Sequence, residues 1–112
     1  MAEQFNSLED IEQYSRNFAE ERNWREYQNP KNLVIALSVE AAELLEHFQW
    51  LTHEESQQLS DEKRLQVGDE ISDVLFYLVR VADSLQINIY EAAQRKAALN
   101  AEKYPLPPYS NK

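Results

Sequence analysis

Two carboxylate pairs, Glu40-x-x-Glu43 and Glu70-x-x-Asp73, lie inside the two most apolar helical stretches of the sequence, Leu33–Leu45 and Glu70–Val79. Residues three apart on a helix share a face, so each pair is a two-pronged acidic claw. A half-buried carboxylate without a partner is costly. Two such claws on packed helices would hold a divalent cation between them, and all-oxygen ligands suit Mg²⁺, with Mn²⁺ as a substitute. Glu9/Glu12 and Glu43/Glu46 repeat the same spacing, so context has to separate them. Glu9 opens a helix, where the dipole accounts for it, and Glu46 precedes a polar stretch. Glu40, Glu70 and Asp73 instead sit on or beside apolar stripes. Trp50 follows Glu43 by seven residues, and Tyr77 follows Glu70 by seven. Two helical turns return to one face, which puts an aromatic on the side of each claw. Carboxylates for a metal beside aromatics for a planar ring describe a nucleotide site. The competing reading pairs the acids with Lys31, Arg64 or Arg80 and places Trp50 and Tyr77 in the core or an interface.

Other chemistries lack their residues. The only histidines, His47 and His53, form neither the H-E-x-x-H of a zinc site nor the Glu-x-x-His of a di-iron bundle, and are expected at the surface. One glycine, Gly68, excludes Walker A and dinucleotide fingerprints. The absence of cysteine excludes disulfides and thiolate sites and is compatible with a reducing compartment. If the chain is an enzyme, metal must do the activating. The formal charge of −9, with no basic patch, argues against a nucleic-acid partner. No apolar run is long enough to span a bilayer and no signal-peptide pattern opens the chain. A soluble cytoplasmic protein with no membrane partner is expected.

The elements that must carry the claws are helices. In 112 residues, 43% hydrophobic, one glycine and four prolines leave little material for the turns of a sheet. The first helix is predicted from about Leu8 to Arg22, capped by Ser7 with Glu9 and Asp10 in its first turn. Residues 23–30 read as a loop that Pro30 closes. The second helix runs from about Lys31 to Trp50 with Leu33, Leu37, Leu44 and Phe48 as its stripe, and Glu40 on that stripe. Residues 52–59 read as a polar connector. The third helix starts near Ser60 and continues to Leu85, with Val67, Ile71, Val74, Leu78, Val81 and Leu85 as a core stripe. Asn88 and Glu91 have the spacing of a capping box for the fourth, which ends near Lys103. One domain fills residues 1–112, with its core at about 8–105 and an extended tail at 106–112. Pro105-x-x-Pro108 reads as chain termination rather than a motif for a proline-binding module.

Several runs together resemble a known family. They are Leu8-Glu9-Asp10-Ile11, Phe18-Ala19-Glu20-Glu21-Arg22-Asn23-Trp24 and Pro30-Lys31-Asn32-Leu33. Others are Glu40-x-x-Glu43-Leu44-x-Glu46-x-Phe48-Gln49-Trp50, Asp69-Glu70-Ile71-Ser72-Asp73-Val74-Leu75-x-Tyr77-Leu78 and Lys96-x-x-x-Asn100-x-x-Lys103-Tyr104-Pro105. The set is similar to the all-α MazG-like nucleotide pyrophosphohydrolases, and closest to their dCTP pyrophosphatase branch. The resemblance implies an all-α four-helix bundle assembled as a dimer or tetramer, a dimer of dimers, with nucleotide sites shared between subunits. It implies that Glu40, Glu43, Glu70 and Asp73 hold Mg²⁺. It further implies that Ser15, the segment Trp24, Arg25, Tyr27 and Gln28, and Trp50 and Tyr77 surround base and sugar, and that Lys96, Asn100, Lys103 and Tyr104 serve the phosphates. The chain departs from the branch where a histidine often stands, at Ser15 and Gln28. It has Val39-Glu40-Ala41-Ala42-Glu43 in place of Gly-Glu-x-Gly-Glu, and Ala101 where relatives often carry arginine. The metal ligands are kept while base-contacting positions differ.

The implied activity is hydrolysis of a (deoxy)nucleoside triphosphate, dCTP or a related or modified nucleotide, to monophosphate and pyrophosphate. The metal would neutralise the triphosphate and activate water, with Glu43 orienting or deprotonating that water for attack on the α-phosphorus. Lys96 or Lys103 would offset charge on the leaving pyrophosphate. Removal of unwanted nucleotides is the role this suggests. The rival from another class is a non-catalytic acidic helical protein whose aromatics anchor an interface.

Overall fold

The computed structural model describes residues 3–107. The order is α1 (Leu8–Glu21), a 3₁₀ turn (Trp24–Glu26), α2 (Pro30–Glu46), α3 (His53–Ser56), α4 (Asp61–Ser84) and α5 (Ile89–Lys103). No strand is present among the described residues, and the class is all-α. No helix among them is long and apolar enough to cross a membrane.

Short polar side chains start each helix. Ser7 Oγ accepts the Asp10 N–H at 3.1 Å and opens α1. Asn29 Oδ1 accepts the Asn32 N–H at 2.9 Å, with Pro30 in the first turn of α2. Ser60 Oγ accepts the Lys63 N–H at 3.1 Å for α4, and Asn88 Oδ1 the Glu91 N–H at 3.0 Å for α5. Each such bond satisfies one backbone donor that has no intrahelical acceptor.

Two boundaries differ from the sequence reading. The second helix ends at Glu46 rather than Trp50, because the His47 and Phe48 N–H groups reach back three residues to Leu44 and Leu45 and the chain winds into turns. The connector is not wholly irregular. Thr52 and Glu55 form a reciprocal capping box, with bonds of 2.9 and 3.1 Å, that nucleates α3.

α4 is the common support, with α2 and α1 both packed against it. The buried apolar residues are Ala19, Leu33, Val67, Val79 and Ala82. The predicted stripe of α2 is on the inner side, with Leu33 buried and Leu37, Leu44 and Phe48 half-buried. The predicted stripe of α4 is only half correct. Val67 is buried and Val74 and Val81 half-buried, but Ile71, Leu78 and Leu85 are each about half exposed, at 52%, 48% and 50%. A helix apolar on more than one side carries more hydrophobic surface than two neighbours cover.

The expected four-helix bundle is not closed within one chain, since α5 does not pack against the three long helices before it. The radius of gyration is 18.0 Å, against about 13 Å for a compact domain of this length. Of the predicted tail, Leu106 and Pro107 are described and exposed, while Pro108 and the rest lie outside the described residues.

α4 ends in a Schellman arrangement. The Ile87 N–H reaches Ala82 O at 2.9 Å and the Gln86 N–H reaches Asp83 O at 3.1 Å. Gln86 must adopt φ 57° to allow it, a conformation that costs about 1–2 kcal/mol for a residue with a Cβ. Gln86→Gly is therefore expected to raise unfolding stability by about 1 kcal/mol, measured by urea denaturation. A loss of stability would show that the Gln86 side chain contributes more than its backbone costs.

Candidate functional site

The caps fix where α2 and α4 start, and the packing of the two helices brings the claws together. Glu40, Glu43 and Glu70 each offer a carboxyl oxygen, and these oxygens lie within 4.8 Å of one another, all from half-buried side chains. Burial first, and then Glu43, Glu70 and Asp73, push the Glu40 pKa up to about 7. Glu70 is also raised, by burial and by Glu43, and its Oε2 is buried with no hydrogen-bond partner. Asp73 is exposed at the rim of this group, where its charge still acts on Glu40 and Glu70. Among the described residues the ion pairs are Arg16–Asp83, Arg22–Glu21 and Arg25–Glu20. None neutralises the four acids, so pairing with Lys31, Arg64 or Arg80 is not what holds them. A cluster of acceptors without a donor fits a hard divalent cation.

Asp73 also lines a cavity of about 260 Å³ walled by Tyr14, Phe18, Trp24, Phe76 and Tyr77, with Ser15 and Arg80 completing it. Tyr14 and Phe18 are four residues apart on α1 and face α4; Tyr14 lies 5.7 Å from Phe76, centroid to centroid. Asn23 takes φ 56°, a left-handed conformation asparagine tolerates, which reverses the chain after α1. Trp24 then folds back edge-on against Phe18 at 5.4 Å. A second cavity, about 230 Å³, lies against Ser15, Arg16, Gln28, Arg80 and Asp83. Ser15 and Arg80 border both. Ser15 Oγ and Gln28 Oε1 are buried without a partner.

The site residues expected from sequence divide into two groups. Ser15, Trp24, Tyr77 and Asp73 meet at the aromatic cavity, and Arg25 and Gln28 border the second. Arg25 is held by Glu20 at 2.9 Å. Tyr27 is 70% exposed and faces a different groove beside Arg22 and Glu26. Trp50 is 86% exposed. Its seven-residue phasing with Glu43 fails because the helix ends before it. Lys96, Asn100, Lys103 and Tyr104 are exposed on and after α5, apart from the acids. His53 is exposed and His47 half-buried. The cavity-lining roles of Tyr14, Phe18, Phe76 and Arg80 were not foreseen. The i, i+4 spacing of Tyr14 and Phe18 was their one visible signal, and it reads equally as core.

A model of the MazG-like family matches residues 35–111. The chain belongs to the MazG-like family. The dCTP pyrophosphatase 1 of Bos taurus is 38% identical to this MazG-like chain over 102 residues, which is 89% of this chain and 60% of that protein. The human dCTP pyrophosphatase 1 is 40% identical over 101 residues, 88% and 59% of the respective lengths. The chain thus spans about 60% of the length of these relatives. The crystal structure of a pyrophosphatase from Archaeoglobus fulgidus superposes with a TM-score of 0.83 at 37% identity, covering 95% of this chain and 99% of that one.

The Glu40 shift gives this MazG-like fold a pH signature. A carboxyl raised from 4.5 unfolded to about 7 folded contributes stability that is full below pH 4.5 and is lost as pH rises through 7. Metal-free protein is expected to melt at a lower temperature at pH 8 than at pH 5.5, with Glu40→Gln flattening the slope. Thermal denaturation in a chelator checks this; a melting temperature that climbs over that range in both proteins would contradict the crowding of the acids.

Proposed function

We propose that the chain is a Mg²⁺-dependent nucleoside triphosphate pyrophosphohydrolase, releasing monophosphate and pyrophosphate. The reading rests on one observation: the acidic cluster and the aromatic cavity adjoin, with Asp73 common to both. The relatives named dCTP pyrophosphatase and the archaeal pyrophosphatase support it. Their names suggest dCTP or a related or modified nucleotide as substrate, and a role in clearing unwanted nucleotides from the cytoplasmic pool.

Glu40, Glu43, Glu70 and Asp73 would hold the cation, which supplies charge neutralisation for the triphosphate and Lewis-acid activation of water. The aromatic walls would hold the base and keep bulk water from it, leaving the triphosphate directed towards Asp73. Glu43 has the role of orienting water at the α-phosphorus and taking its proton.

The chain requires a second copy in this reading. Lys96, Asn100, Lys103 and Tyr104 are the side chains assigned to the phosphates, and α5 holds them apart from the acids of its own chain. Val34, Ile35 and Val39 on α2 and Ile71 and Leu78 on α4 leave apolar surface exposed. A homodimer or homotetramer would cover that surface and bring one copy's α5 to the other's acids.

Phosphorus NMR with Mg²⁺ is expected to show monophosphate and pyrophosphate as the first products. Orthophosphate appearing first would contradict attack at the α position. Glu43→Gln and Asp73→Asn should each abolish turnover while the far-ultraviolet circular dichroism stays helical. Mixing inactive Glu43→Gln with inactive Lys96→Ala should restore part of the activity, since a mixed assembly contains one site with both groups intact. No recovery after verified subunit exchange would place α5 outside the partner's site.

A further inference from the structure

One charged group at the cavity has no role in the hydrolysis just described. Arg80 stands on α4 seven residues beyond Asp73 and borders both cavities. At 1.5 Å per residue that is roughly 10 Å along the helix. That separation places Arg80 at the end of the aromatic cavity away from Asp73, where it suits the far edge of a base. Arg80 is half-buried, and its guanidinium carbon lies 5.6 Å from the Trp24 ring centroid. Oδ1 of the acid one turn further on, Asp83, accepts from Arg16 Nη2 at 2.7 Å and Nε at 3.0 Å. Arg80 is in none of the ion pairs among the described residues, and burial presses its pKa below the usual arginine value. Two nearby polar groups are buried without a partner: Oγ of Ser15, a residue 4% exposed that borders both cavities, and Oε1 of Gln28, which borders the second cavity alone. A guanidinium in no ion pair and a hydroxyl without a partner at the junction of the two cavities, with an acceptor without a donor just beyond it in the second, describe the complement of a polar ligand edge.

We propose that Arg80 selects nucleobases carrying two adjacent hydrogen-bond acceptors on one edge, with Gln28 and Ser15 receiving the donor beside them. This rests on reading the aromatic cavity as the base site. A guanidinium can only donate, through a planar fork that matches two neighbouring acceptors. Cytosine offers O2 and N3 with its amino group next to N3. Guanine offers O6 and N7 with N1–H next to O6. Uracil and thymine place an N–H between their two carbonyls, so a donor meets a donor. Adenine sets its amino group beside N7 and fails in the same way. The Oε1 of Gln28 is an acceptor, which suits the amino or N1–H donor.

The test is equilibrium binding of α,β-imido triphosphate analogues of cytosine, uracil, guanine and adenine with Mg²⁺, followed by tryptophan fluorescence, beside kcat/KM for the natural triphosphates. Wild type should bind cytosine over uracil, or guanine over adenine, by roughly tenfold to a hundredfold; which pair shows the ratio identifies the base. Arg80→Met keeps bulk without donors and should bring that ratio near one by weakening the favoured base alone. Arg80→Lys, a single-point donor, should keep part of it. Equal wild-type binding within both pairs, or an unchanged ratio in a folded Arg80→Met, overturns the proposal. If Arg80→Met does not fold, Arg80→Lys and the wild-type ratio decide. Selective binding without pyrophosphate release would sink the hydrolytic reading and leave this one standing; release without base discrimination would do the reverse.

Discussion

Three carboxyl groups held within 4.8 Å of one another between α2 and α4 are the constraint on which everything else turns. Like charges at that separation repel and resist burial, so the metal-free cluster favours keeping protons, as the shift of Glu40 to about 7 records. Only stiff supports can hold the groups there. α2 and α4 supply them, as long helices with defined starts at Asn29–Pro30 and Ser60. Packing of α2 on α4 opposes the repulsion, and a cation would convert the repulsion into affinity. The site therefore costs the chain stability until it is filled, a conflict between local rule and global fold that is characteristic of functional positions.

The aromatic cavity is built by a different device. Tyr14, Phe18 and Trp24 on the α1 side and Phe76 on α4 form a run of rings with centroids 5.4 to 5.7 Å apart. The rings lean against one another tilted or edge-on, which leaves a slot rather than a filled core. Ser15 is small enough to leave the slot open towards the second cavity. The Arg16–Asp83 pair fastens α1 to α4 beside it; being part-exposed, such a pair is worth about 1 kcal/mol or less. It also directs Asp83 Oδ1 to Arg16 while Arg80, one turn before that acid, forms no ion pair among the described residues.

Few apolar side chains are fully buried, and valines, isoleucines and leucines on α2 and α4 remain half exposed. α5 carries its basic residues away from the acids. Both facts share one cause: the sequence invests in long helices whose second faces stay uncovered within the chain.

Much of this was legible in one dimension. The helix starts could be read from Ser7, Ser60 and Asn88, because a cap acts on its own neighbours. The stripe of α2 and the acid pairs followed from the 3.6-residue period. Ile71, Leu78 and Leu85 were misplaced because periodicity shows that a face is apolar without showing what covers it. Trp50 falls out of phase with Glu43 because the helix ends at Glu46. The helical class and the two acid pairs could be read from the sequence alone, since both depend on spacing within single helices. Packing in three dimensions settles that Glu70 joins Glu40 and Glu43 while Asp73 stands at the rim, that Trp24 rather than Trp50 walls the cavity, and that Arg80 is in no ion pair among the described residues. Those outcomes depend on the rotation of one helix against another and on competition for a shared acid, which no spacing along the chain records.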